Sequence, residues 1–277
     1  MGLDASFRAM HAGPGVLVLA NVWDVGSARL VDSLGPRAIA TTSAGVAWAH
    51  GYPDRNALPP RLLVETVERI ARAVAVPLTV DVEGGYSDDL DAVEATVAGV
   101  VAAGAVGINI EDGVGAPDLL CAKIERARRA AARLGVDLFV NARTDVYLRP
   151  GAGGDETVAE VLARADRYRA AGADGLFVLG ITAADEIRAV VAGAGLPVNV
   201  LARPGLPPAA ELAALGVRRL SAGSAVPEAV WERARTLAAN FLRDGRSEPL
   251  SEAPGAYAAL NRLMAREAEG GPCGSAA

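Results

Sequence analysis

The chain has 277 residues, 51% of them hydrophobic, 22% charged and only 4% aromatic, with a formal net charge of −6. That length suits one large domain, and a negative balance with no basic block argues against a nucleic-acid partner. No apolar run reaches membrane-spanning length, the N-terminus lacks a secretory pattern, and the two cysteines (Cys121 and Cys273) form no motif, so a cytoplasmic enzyme with no membrane partner is expected.

Short β-rich runs alternate with longer Ala/Arg/Leu-rich helical runs along the whole chain. A strand is expected over 16–21 (VLVLAN) with a helix over 24–34, then a strand over 37–42 (RAIATT) with a helix over 60–74. The third unit pairs 77–82 (PLTVDV) with 88–103, the fourth 106–110 (VGINI) with 117–134, and the fifth 137–142 (DLFVNA) with 155–171. The sixth pairs 174–179 (DGLFVL) with 183–194, the seventh 197–201 (PVNVL) with 207–215, and the eighth 218–222 (RRLSA) with 225–243. Segments such as AAGADG and AALGVRR place a glycine where a helix stops before the next strand. Eight such units without a composition break predict an α/β fold, a (β/α)8 TIM barrel rather than an open doubly wound sheet. The scarcity of aromatics leaves Ala, Val, Leu and Ile to build the core, as suits parallel strands buried on both faces. An amphipathic helix over 254–268 and a polar, unstructured tail (GGPCGSAA) follow, so residues 1–245 are expected to form the barrel and 246–277 an appendage.

In such a barrel, chemistry gathers where strands end. Asp81 and Glu83 are two apart at the end of the third strand, and so share a face; Glu111 ends the fourth. Three carboxylates at neighbouring ends repel unless a cation lies among them, and all-oxygen ligands point to Mg²⁺, with Mn²⁺ possible. The alternative is that each acid pairs with an arginine or caps a helix. Arg143 follows the fifth strand and precedes Thr144 and Asp145. It can grip a substrate carboxylate, or it can form an ion pair with Asp145 or a fourth-strand acid. Asn199 on the seventh strand is a further substrate-binding candidate. His50, Tyr52 and Tyr86 lie in loops suited to a proton donor, His50 being the best matched by its ordinary pKa. The only lysine, Lys123, sits in a helical run, so Schiff-base chemistry is not expected.

Together the segments NVWDVGSARL, ATTSAGVAWAHGYPD, TVDVEGGY, GINIEDG and VNARTDVYL resemble the isocitrate lyase/phosphoenolpyruvate mutase superfamily over residues 14–245. The resemblance implies that Asp81, Glu83 and Glu111 are Mg²⁺-site acids and that Arg143 binds the substrate's carboxylate or phosphonate end. It implies that Thr42, Ser43 and Ala44 hold a 2-oxo acid and that Asp54 takes part in the chemistry. Asp24 and Ser27 read as architecture. The final helix matches one that family members exchange between subunits, which implies a homodimer or homotetramer.

The departures are specific. The family's lyases carry a KKCGH-type cysteine loop after the fourth-strand acid, and here that stretch reads EDGVGAPDLLCAKIERARR. Cys121 falls inside the helical run and reads as packing. The mutases' own markers are missing as well, and Leu179 stands where the lyases end a strand in glutamate. The expectation is a Mg²⁺-dependent carbon–carbon lyase or decarboxylase acting on a small 2-oxo or 2-hydroxy carboxylate through a metal-stabilised enolate. Phosphonopyruvate-type C–P chemistry and a catalytically weakened carboxylate-binding barrel are the alternatives.

Overall fold

Residues 2–113, 115–251 and 255–265 are described by a computed structural model of the chain. The strands are β1 (Leu17–Leu19), β2 (Asn21–Val22), β3 (Ile39–Thr41), β4 (Leu78–Asp81), β5 (Gly107–Glu111), β6 (Phe139–Thr144), β7 (Gly175–Val178), β8 (Val198–Leu201) and β9 (Arg219–Ser221). Every pairing is parallel, in the order β1-β9-β8-β7-β6-β5-β4-β3-β2. Only Ala20 separates β1 from β2, so these two are halves of a single stave. One half bonds β9 and the other bonds β3, which brings the sheet round on itself. The result is the expected eight-stave TIM barrel, and an open sheet is ruled out.

The helices are α1 (Leu3–Met10), α2 (Val25–Asp32), α3 (Ser43–Ala49), α4 (Pro60–Ala73), α5 (Leu90–Ala102), α6 (Pro117–Leu134), α7 (Gly154–Ala170), α8 (Ala184–Gly193), α9 (Ala209–Ala214), α10 (Ala225–Asp244) and α11 (Ala256–Met264). Local chemistry sets several of their ends. Asp24 and Ser27 form a reciprocal capping box at the start of α2, the architectural part expected of them. Proline opens α6, and Gly135 ends it in the left-handed conformation, φ 68°. Cys121 lies on α6, partly buried against the core. Among the described residues no helix is long and apolar enough to cross a membrane.

Two helices were not expected from the sequence. Phe7 of α1 is fully buried in one apolar cluster with Leu17, Leu19, Ala38, Ala40, Val106 and Phe139, which lie in or just before β1, β3, β5 and β6. The helix therefore closes the N-terminal end of the barrel, where Phe7 contributes roughly 2–3 kcal/mol of burial. The second, α3, reads in sequence as a small glycine-bearing loop. Its Ser43–Ala47 run is buried, and packing at that depth leaves its backbone no water, so it satisfies itself as a helix.

Beyond the barrel come a short 3₁₀ turn (Glu248–Ser251) and α11. Arg29 of α2 donates to the carbonyls of Leu263 and Met264, at 3.3 and 2.7 Å, which docks the end of α11. The flanks expected for this last helix, residues 254 and 266–268, and the polar tail over 270–277 lie outside the described residues. Along α10, Pro227 is the only buried residue, while Val226, Val230, Trp231, Phe241 and Leu242 are exposed.

Candidate active site

The C-terminal ends of β3 to β6 bring four polar side chains together. Asp81 is the last residue of β4, Glu83 follows two positions on, Glu111 ends β5, and Arg143 lies opposite Glu111 in the β5–β6 register. The Arg143 guanidinium is 2.6 Å from Glu111 Oε2. Its Nε and Nη2 donate to the two oxygens of Asp145, at 2.7 and 2.9 Å. Arg143 is thus held by both acids that the sequence offered as ion-pair partners. Two of its five N–H groups are committed by hydrogen bonds, both to Asp145, while Nη1 faces Glu111 as an ion pair. Asp112, fully buried, accepts from Arg164 and Tyr168 (2.6 Å each) and from the Asp145 backbone, and so anchors Asp145 in turn.

The Asp81 carboxylate accepts from the backbone N–H groups of Ser43 (3.4 Å) and Glu83 (3.3 Å). The small-residue turn at Thr42, Ser43 and Ala44 therefore aims a donor at an acid of the protein itself. Glu83 accepts from the Asn56 backbone N–H, and the Asn56 side chain accepts from Tyr86 N. Lys123 reaches the same turn from α6, donating to the Gly84 carbonyl (2.7 Å) and to Asp88 (2.9 Å). All four non-glycine residues with positive φ among the described residues belong here: Arg55 (74°), Asn56 (58°), Glu83 (49°) and Tyr86 (60°). Left-handed backbone at such residues costs roughly 1–3 kcal/mol each, and the cross-links between the two turns hold them in place.

Burial dominates the electrostatics. It raises the pKa of Asp81, and it raises Glu83 to about 7 and Glu111 to about 8, with neighbouring acids adding to the effect at Glu83 and Glu111. Burial opposes the charge on Arg143, but Glu111 and Asp145 outweigh it and raise its pKa. Glu83 Oε1 is buried without a hydrogen-bond partner, and so is Asp54 Oδ1; Glu111 Oε2 faces Arg143 outside hydrogen-bond geometry. Three uncomfortable carboxylates with oxygens to spare are a donor set that a hard cation satisfies. Among the described residues, however, no three His, Cys, Asp or Glu side chains are arranged to hold an ion between them. Arg143 engages Glu111 and Asn56 engages Glu83, so an ion held here would take part of its shell from water.

Glu83, Glu111 and Arg143 edge a cavity of about 770 Å³, while Asp81 lies behind Ser43 and Glu83, outside the lining. The lining includes Ser43, Asp54, Glu83, Glu111 and Arg143. His50 is not part of it: this residue ends α3 and bonds the Thr66 hydroxyl on α4 at 2.9 Å, which turns it away from the acids. Tyr52 and Tyr86 are not in the lining either, although the buried Tyr86 hydroxyl lies near Glu83. Asn199 is 1% exposed inside the barrel, where it accepts from Ser221 Oγ (3.0 Å), below the cavity rather than in its wall. Thr42 and Ala44 are buried directly behind Ser43. Leu179 is buried after β7 and its N–H bonds the Thr144 carbonyl. Asn56 and the Lys123 contact are the parts of the site that sequence reasoning missed. Lys123 stood out only as the single lysine, and nothing in the order of residues marks its carbonyl partner 39 positions away.

A family model described as phosphoenolpyruvate phosphomutase matches residues 7–242. The chain is 38% identical over 251 residues to an uncharacterized protein of Mycobacterium tuberculosis, covering 89% of this chain and 92% of that one. It is 33% identical over 256 residues to an oxaloacetate decarboxylase of Rhodopseudomonas palustris, covering 87% and 84%. Among solved structures, 2,3-dimethylmalate lyase superposes with a TM-score of 0.81 at 28% identity, covering 95% of each chain.

Proposed function

The chain belongs to the phosphoenolpyruvate phosphomutase family, and from that membership we propose that it is a carbon–carbon lyase or decarboxylase acting on a small 2-oxo carboxylate. Two relatives bear names that denote C–C cleavage, an oxaloacetate decarboxylase and a dimethylmalate lyase. The observation that carries the reading is the group of buried Glu83 and half-buried Asp81 and Glu111 beside Arg143, at the strand ends next to the cavity.

The donor set fits a divalent cation, Mg²⁺ or Mn²⁺, held by Asp81, Glu83 and Glu111 in part through water. When bound, that ion supplies Lewis acidity toward charge developing on the 2-oxo oxygen. The protein's own groups do the rest. The N–H groups of Arg143 that Asp145 leaves free bind the substrate carboxylate. The Thr42–Ala44 turn seats the 2-oxo end, with Ser43 in the cavity wall. Asp54, which lines the cavity and whose buried Oδ1 lacks a partner, is placed to relay a proton to the enolate carbon that C–C cleavage leaves behind, the part first expected of His50. Burial of the floor excludes water and strengthens each of these contacts.

Calorimetry with oxalate, which mimics the enolate product, tests the reading. Binding that requires Mg²⁺, disappears with chelator and is lost in Asp81→Ala while the circular dichroism of the barrel is retained is the expected result. Absence of oxalate binding with and without metal sinks it. The family model's own description favours C–P chemistry as a second reading. Pyruvate release from oxaloacetate with no turnover of phosphonopyruvate decides for the first, and the reverse for the second.

The enzyme is also proposed to be a cytoplasmic homo-oligomer. The exposed apolar side chains along α10 support the second part of that statement, because a barrel helix ordinarily buries such a face.

A further inference from the structure

Four cationic side chains line the cavity, and three of them are spoken for. Lys123 is held by Gly84 and Asp88, Arg143 by Glu111 and Asp145, and Arg149 by both oxygens of Glu160 at 2.9 and 2.8 Å. Arg55 lines the same cavity, is exposed, and has no hydrogen-bond or ion-pair partner among the described residues. Its origin is fixed nonetheless. Arg55 and Asn56 are consecutive left-handed residues, and Asn56 is tied to both Glu83 and Tyr86. The segment carrying Arg55 is thereby pinned to the turn that carries the acids.

Asp54, Glu83, Asp88, Glu111, Asp112 and Asp145 also line the cavity. Lys123, Arg143 and Arg149 are each already met by a carboxylate, so a second negative charge on the substrate finds Arg55 as the one cation of this lining without a partner among the described residues. The loop between β5 and α6 cannot supply another cation, since residues 113–116 read GVGA. A guanidinium matches a carboxylate with two parallel N–H bonds.

We propose that Arg55 is the specificity-determining residue for this site, receiving the distal carboxylate of a dicarboxylate substrate whose 2-oxo acid end sits at the acid floor. The assignment rests on the lyase reading above.

Two variants test it. Arg55→Asn removes the charge while keeping a residue that tolerates a left-handed backbone; Arg55→Lys keeps the charge and loses the fork. Steady-state kinetics with oxaloacetate report on both ends of the substrate, and oxalate binding reports on the inner end alone. The expected result for Arg55→Asn is a KM for oxaloacetate raised at least tenfold, kcat changed less than threefold, and oxalate affinity within twofold of the unsubstituted protein. Arg55→Lys should fall between the two. A KM within twofold of the unsubstituted value overturns the assignment, as does an equal loss of oxalate affinity, which would make Arg55 a prop for its loop. If the unsubstituted protein neither binds oxalate nor turns over oxaloacetate, the lyase reading itself fails and this assignment falls with it.

Discussion

Arg143 is an ion-pair partner of Glu111 and Asp145, one of the two readings that its sequence context allowed. Those pairings orient the N–H groups that the proposed substrate contact would use. Lysine in its place keeps the charge but cannot fork onto Asp145 and still reach Glu111. Arg143→Lys is therefore expected to weaken Mg²⁺-dependent oxalate binding at least tenfold by calorimetry, and unchanged affinity would reduce the residue to scaffolding. The raised carboxylates make a second, thermodynamic prediction. Glu83 and Glu111 hold protons in the folded state up to about pH 7 and 8, above their ordinary 4.5. Between those limits the folded chain binds more protons than the unfolded one, so its stability falls as pH rises. In chelator, the melting temperature should drop by roughly 5 °C or more between about pH 6 and pH 8.5. Saturating Mg²⁺ should flatten that slope, and a slope that ignores Mg²⁺ would separate these acids from any metal.

At the scale of elements, the informative piece is α3. It sits between β3 and the cavity, and its Ser43 N–H steadies Asp81, so the helix is part of how the acid floor is held. Its close packing is recorded at Gly45. A methyl group there would stand 2.8 Å from Thr42 Cγ2, 2.9 Å from Trp23 Cβ and 3.2 Å from Pro227 Cγ. Two of those neighbours cannot swing aside, so Gly45→Ala should destabilise the protein by about 1–3 kcal/mol, a loss of several degrees in a thermal melt. Gly15, with open space around it, is the control, and Gly15→Ala should melt unchanged. A Gly45→Ala melt equal to the control would mean that α3 is looser than its contacts imply. Helix α6 works differently. From it, Lys123 reaches the Gly84 carbonyl and Asp88 and braces the strained turn that presents Glu83, a contact in which a buried charge is met by a backbone dipole and a carboxylate.

For the molecule as a whole, closure of the barrel is what makes the site. Because β1 and β2 bond opposite neighbours, the C-terminal ends of β3 to β6 curve around one mouth and the acids converge on it. The same closure leaves α10 anomalous, since seven other βα units cover the staves while its own apolar side chains face outward. A second copy of the chain is the expected cover. Sedimentation velocity should show an oligomer, and Trp231→Glu together with Leu242→Glu should shift it toward monomer. A monomer in the unsubstituted protein would leave the exposed face of α10 without that explanation.

What the sequence determined by itself was whatever depends on short-range pattern. Alternating β and helical runs placed eight staves and their helices within a few residues, because burial on both faces of a parallel strand imposes an apolar run that needs no tertiary knowledge to see. The carboxylates at Asp81, Glu83 and Glu111 were legible for the same reason, since strand ends are where a barrel places its chemistry. Tertiary structure decided which groups meet. It turned His50 toward Thr66, drew Asn199 into the barrel interior, and brought Asn56 and Lys123 onto the Glu83 turn from 27 and 39 positions away. It made α3 a helix where local propensity suggested a loop. Those outcomes depend on distances across the fold and on the cost of leaving buried polar groups unpaired, and neither is written in the order of neighbouring residues.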